Sequence, residues 1–252
     1  INILIGPEAP NLGKYYGFWN QFIIHKKELL ENNLEINFFD KINKNFLYGD
    51  YLFLHSRLFP NLGHTIDLEY LKKIKKKNEN LFWFDMRDSA GTTQFEVLPY
   101  VKKYIKKQFY KDKFIYFNEL EGGRFYTDYY IKQKGLKDDT KYISKVLEKK
   151  FLNKLVLGWN LGVGFFFDYC NYNKFDYYKE LIKFKFFKNP KFSMQIKSFE
   201  NWSNENSKYD FICLLNNKFY RNSVSYQRNR LLHEIDKISD YNKLTNTRLK
   251  KK

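Results

Sequence analysis

Residues Leu81–Lys107 read LFWFDMRDSAGTTQFEVLPYVKKYIKK. The opening LFWFD is apolar at consecutive positions rather than at alternate ones, the pattern of a strand covered on both faces, as in a parallel sheet flanked by helices. A knot of charge and hydroxyls follows, Met86 to Thr93. Beyond it, Leu98, Val101, Ile105 and Phe109 recur at intervals of three and four, which predicts a basic helix with one buried stripe.

The same alternation extends in both directions. Upstream, INILIG (Ile1–Gly6) reads as a strand, with a helix from about Gly17 to Asn32 after it. LEINFFD (Leu34–Asp40) and DYLFLHS (Asp50–Ser56) suit strands, and Leu68–Lys77 suits a helix whose outer face carries lysines. Downstream, FIYFNEL (Phe114–Leu120) reads as one more strand. Strands separated by helices imply an α/β fold with a Rossmann-like parallel sheet and helices on both faces. That domain is expected over residues 1–170, a crossover and linker over 171–208, and the beginning of a second α/β unit over 209–252. In the last segment YDFICLLNN supplies a strand and SVSYQRNRLLHEIDKI a helix. The second unit reads as cut short.

The chain has 252 residues, 43% of them hydrophobic, and a formal net charge of +17. Its only alanines are Ala9 and Ala90 while Lys, Asn, Phe, Tyr and Ile abound, the bias of an AT-rich genome. Most of the charge is therefore expected to be compositional, and the remainder points to anionic partners such as nucleotide diphosphates or anionic lipid. Cys170 and Cys213 fit neither a disulfide framework nor a metal site. The absence of an apolar run of about 20 residues predicts a cytoplasmic protein.

In a parallel α/β sheet, ligands bind beyond the carboxyl ends of the strands, which is where the knot lies. Arg87 suits an anion, Asp88 a proton, and Ser89, Thr92 and Thr93 hydroxyl groups. Gly91 permits close backbone approach. The same residues also suit a helix cap, with Glu96 completing a capping box from Thr93 and Arg87 pairing with Asp85 or Asp88. No G-x-x-x-x-G-K-[ST] and no G-x-S-x-G occurs, which argues against P-loop and serine-hydrolase chemistry. No D-x-D triplet occurs either, and His25, His55, His64 and His233 have no metal-ligand spacing.

At WFDMRDSAGTTQFEVLPYVKKYIKKQFYKD, at GGRFYTDYY (Gly122–Tyr130) and at LGWNLGVG (Leu157–Gly164) the chain resembles bacterial glycosyltransferases of the exostosin-like or group-1-like kind, encoded with surface-polysaccharide genes. The resemblance implies a GT-B architecture of two Rossmann-like domains, of which the second would be incomplete here. It implies transfer of a sugar from a nucleotide-sugar donor to a glycan or lipid-linked acceptor, without a metal or other cofactor.

On that reading Arg221, Arg228 and Arg230 lie near the donor phosphates, where a guanidinium fork and a helix N-terminus suit phosphate oxygens. Gly6 and Gly13 would let backbone amides face the sugar or phosphates. Arg124, Tyr126 and Asp128 would line an acceptor groove, and Trp159 with Asn160 would stack on and bond to a sugar ring. Asp88 is the expected base, with Asp85 and Glu96 behind it. The lysine-rich helices could also hold the protein peripherally against anionic lipid on the inner membrane face. Two alternatives stay open. One is a non-catalytic acceptor-binding fragment. The other, a basic nucleic-acid-binding protein, is disfavoured because the lysine runs sit on separate helices, so no nucleic acid is expected as a partner.

Overall fold

The computed structural model describes residues 1–5, 18–19, 22, 25–56, 67–87, 89–138, 143–159, 211–213, 215, 221–238, 241 and 243–245. The chain divides into two compact units, Ile1–Phe117 with Lys145–Lys197, and Asn118–Ser144 with Ser198–Lys252. The segment Asn118–Ser144 thus belongs with the C-terminal part of the chain, a grouping that a linear division at residues 170 and 208 does not contain.

The first unit is built on β1 (Asn2–Leu4), β2 (Asn37–Phe39), β3 (Leu52–His55), β4 (Leu81–Asp85), β5 (Lys103–Lys106) and β6 (Leu155–Leu157). They form a six-stranded sheet in the order β2-β1-β3-β4-β5-β6. Every pairing is parallel. The order reverses between β1 and β3, the switch point of a doubly wound sheet. The Rossmann-like α/β architecture expected from the consecutive apolar strands is therefore present.

Two apolar clusters cover the sheet. Leu4, Leu52, Leu54, Leu81, Trp83, Tyr104 and Leu155 face one side. There they meet Phe46 of α2 (Lys44–Leu47) and Leu71 and Ile74 of α3 (Leu68–Lys75). Ile3, Ile5, Phe38, Phe84 and Ile105 face the other side with the helical Phe18 and Trp19, and Leu29 of α1 (Lys26–Glu31) packs against them. Neighbouring residues of one strand thus enter opposite cores, which is why LFWFD shows no polar alternation.

Two expected elements differ. The helix anticipated from Leu98 to Phe109 is a 3-10 turn, Phe95–Val97, followed by β5. Tyr104 and Ile105 enter opposite cores and Lys106 meets Asp85 of the neighbouring strand, an alternation that an extended chain provides and a helix does not. The chain turns instead, and Lys102 N donates to Leu81 O at 2.7 Å to lay β5 beside β4. Likewise FIYFNEL is not a strand, because Lys113–Phe117 is a 3-10 helix.

The second unit holds α4 (Phe125–Lys134), α5 (Asn222–Lys237) and a parallel pair, β7 (Phe211–Cys213) with β8 (Lys243–Thr245). A strand and a helix thus occur where YDFICLLNN and SVSYQRNRLLHEIDKI were read. Helix α4 ends at Gly135, whose φ of 61° is the left-handed cap that glycine takes without strain.

Candidate functional site

Asp85 and Lys106 are register partners at the carboxyl ends of β4 and β5. Both project to the face that carries Trp83 and Tyr104, and both side chains are fully buried. Lys106 Nζ lies 2.8 Å from Asp85 Oδ2. Its other donors reach Arg87 O at 3.3 Å and Thr92 O at 3.1 Å, so all three hydrogens of the ammonium have acceptors. Tyr104 also donates its hydroxyl to Asp85 Oδ2, at 2.5 Å, while Asp85 Oδ1 accepts from Arg87 N at 3.0 Å.

These bonds fasten the polar loop to the sheet. Gln94 N donates to the Tyr104 hydroxyl at 3.0 Å, Met86 N to Ser56 Oγ at 3.0 Å, and the Tyr116 hydroxyl to Ala90 O at 2.8 Å. Burial pushes the Tyr104 hydroxyl well above its ordinary range, and the Asp85 charge adds to that. Burial pulls Lys106 down, with Asp85 opposing it. An isolated charge could not be held here, because desolvation disfavours the ionised form.

Asp85, expected among the acid–base residues, is accordingly the anion that anchors the loop: it has no exposure and is already committed to Lys106, Tyr104 and Arg87 N. Lys106 and Tyr104 are the residues that sequence reasoning passed over, since a lysine inside an apparent basic helix looks solvated. Tyr104 and Ile105, an aromatic and a β-branched residue in succession, were the available signal, since both types favour strands.

Arg87 is half-buried on the loop, with Nη1 donating to Thr93 O at 3.2 Å. Ser89 accepts from Gly91 N through Oγ at 3.2 Å and from Thr92 N through its carbonyl at 3.2 Å, which makes it a turn former. Thr92 contributes its carbonyl to Lys106. Glu96 does not complete a capping box, for Gln94 precedes the 3-10 turn with no side-chain cap. Desolvation instead raises the Glu96 carboxyl above its ordinary value, opposed by its own backbone N–H and by the charges of Arg87 and Lys145. Glu96 Oε2 and Thr93 Oγ1 are buried without a hydrogen-bond partner. Buried polar atoms are rarely left so, and these two stand three residues apart, one at the end of the loop and one in the 3-10 turn that follows it. Asp88 lies outside the described residues, as do Gly6, Gly13 and Asn160.

Trp159, expected to stack on a sugar, is part of an aromatic cluster. Its ring centroid is 5.0 Å from Phe18, 5.4 Å from Phe22 and 5.5 Å from Phe84. Its indole N–H donates to Phe18 O at 2.9 Å. Its polar handle is thus spent inside the protein.

Arg221 precedes α5 and is buried, its Nη2 bonded to Gly122 O and its Nε 3.4 Å from Asp138 Oδ2. Asp138 also accepts from Ser223 N at 2.7 Å and Ser223 Oγ at 2.8 Å. A carboxylate of the chain thus already occupies the positive end of α5, where donor phosphates were expected to sit. Arg228 is half-buried and Arg230 exposed, both beyond the first turn of α5. Arg124 donates to the Tyr126 hydroxyl at 2.7 Å, while Asp128 accepts from Glu121 N at 2.9 Å and pairs with Lys132 at 2.8 Å. Among the described residues, no group of three or more His, Cys, Asp and Glu could hold a metal ion, and no helix is long and apolar enough to cross a membrane. No protein-family model, curated protein or solved structure matches the chain.

Proposed function

We propose that the chain is a glycosyltransferase of the GT-B kind, moving a sugar from a nucleotide sugar to a glycan or lipid-linked hydroxyl, with the loop after β4 as its acceptor side. The observation that carries this reading is Glu96. It is a carboxyl raised above its ordinary value, with an unpartnered oxygen, close enough to Arg87 to feel its charge, in the 3-10 turn that follows a loop fastened at the carboxyl edge of a parallel sheet. A carboxylate in such surroundings is suited to receive the proton of an acceptor hydroxyl as its oxygen attacks the anomeric carbon and the nucleotide diphosphate departs. Arg87 and Thr93 would orient the acceptor, and Asp88 stands next to Arg87 in sequence as a second carboxylate. No cation for the departing diphosphate is assigned, since Arg221 is committed to Asp138.

The test is ligand-detected NMR of the chain against UDP-, GDP-, CMP- and dTDP-sugars, followed by a transfer or donor-hydrolysis assay with the donor that binds. Glu96→Gln should leave donor binding in place and lower turnover by about 10²–10⁴-fold, the usual contribution of a general base. Failure of every nucleotide sugar to bind would overturn the reading. So would a Glu96→Gln variant that turns over at the wild-type rate.

A further inference from the structure

The face of the first unit formed by the two 3-10 helices, Lys113–Phe117 and Lys149–Lys154, alternates cations with aromatic rings. Lys149 Nζ lies 5.9 Å from the Phe117 ring centre, and Lys150 Nζ and Lys154 Nζ lie 4.9 Å and 5.1 Å from that of Phe151. Leu147 N donates to Tyr116 O at 2.8 Å, which ties the two segments together. Phe114 is 69% exposed, its ring 5.7 Å from Phe117.

Charge on this face is poorly balanced. Residues Lys145–Lys154 carry four lysines against one carboxylate, Glu148, which pairs with Lys150 at 2.5 Å. Asp112 is turned to the backbone N–H of Phe114 at 2.9 Å. Lys154 is held against Leu98 O and Val101 O, and its charge is disfavoured first by burial and then by Lys75 and Lys103. A protein that crowds like charges and leaves a large apolar ring in water has a surface that an anionic, partly apolar partner would relieve.

We propose that this face docks on an anionic lipid surface, with Phe114 entering the interfacial region and Lys149, Lys150 and their neighbours lying over the headgroups. A bilayer fits better than a nucleic acid for two reasons. The cations are all lysines, point charges suited to a diffuse potential, where forked arginines would favour discrete phosphates. The rings do not form a stacking platform either, because Phe114 and Phe117 meet edge to face at 64°. The proposal stands apart from the sugar-transfer reading and does not depend on it.

The test is flotation of the whole chain with phosphatidylcholine vesicles, with and without phosphatidylglycerol. Binding should require the anionic lipid and weaken with salt. Lys149→Glu/Lys150→Glu should lower partitioning by at least about 25-fold, from about fivefold per lysine, and Phe114→Ser by about tenfold. Lys26→Glu/Lys27→Glu, on α1 and the opposite side of the sheet, should change it little. Thermal melting of each variant shows that it is folded. Equal binding to neutral vesicles, no binding, or equal loss from the α1 variant would overturn the proposal. So would tighter, equally face-dependent binding of a single-stranded oligonucleotide.

Discussion

Two ionisable residues around the loop after β4, Lys106 and Glu96, make opposite demands. Lys106 is neutralised by Asp85 and two carbonyls. Lys106→Met would leave the carboxylate buried beside Tyr104 without its cation, and should cost about 3–5 kcal/mol in a denaturant titration. Asp85→Asn with Lys106→Met removes both charges, so the pair should be less destabilised than Lys106→Met alone. A double variant as unstable as the single would show that the charges are not coupled. Glu96 behaves in the other sense. Its folded-state affinity for a proton exceeds the unfolded one, so its contribution to stability is favourable below the ordinary value of 4.5 and is lost as pH rises through the raised folded value. Glu96→Gln should therefore melt higher than the wild type at neutral pH, with the gap closing as pH falls through the raised folded value towards 4.5. In the transfer assay the acid limb of kcat/KM should lie above that ordinary value and disappear in Glu96→Gln. A limb at or below it would remove Glu96 from the role of base.

At the scale of elements, legibility followed the chemistry of the strands. LFWFD announced a buried parallel strand because each face receives an apolar core, and β4 lies where it was read. β5 was hidden by Lys106, whose burial depends on a partner twenty-one positions earlier that no local pattern displays. The spacing of Leu98, Val101 and Ile105 was real, but it came from a turn running into a strand. At the start of α5 the sequence displays an arginine beside a helix N-terminus but not the carboxylate that meets them. Arg221 and a helix N-terminus do form an anion site, and the anion is Asp138. Asp138→Ala should consequently leave Arg221 buried and unpaired and the first turn of α5 uncapped, at a cost of about 3–5 kcal/mol. Hydrogen exchange should quicken across Asn222–Lys237 while β3 and β4 stay protected. Loss of nucleotide affinity with α5 still protected would instead indicate a ligand role.

Across the whole molecule, the two units differ in how their backbone bonds are shielded. β3 and β4 each have a strand on both sides and a core on both faces, so opening them requires breaking the sheet. Among the described residues, β7 and β8 form a two-stranded pair, an arrangement that is marginal unless packing supports it. Free energies of local opening track this difference and range from near zero to the global value. The amides of Leu52–His55 and Leu81–Asp85 should thus exchange at the slowest rates in the chain, and those of Phe211–Cys213 and Lys243–Thr245 at least about a hundredfold faster, by a native-state exchange experiment read by mass spectrometry. Added salt should leave the order unchanged, because it rests on the hydrogen-bonded position of each strand and not on the charge of +17. Equal protection in both sheets would mean that the two units open only together, as one cooperative structure.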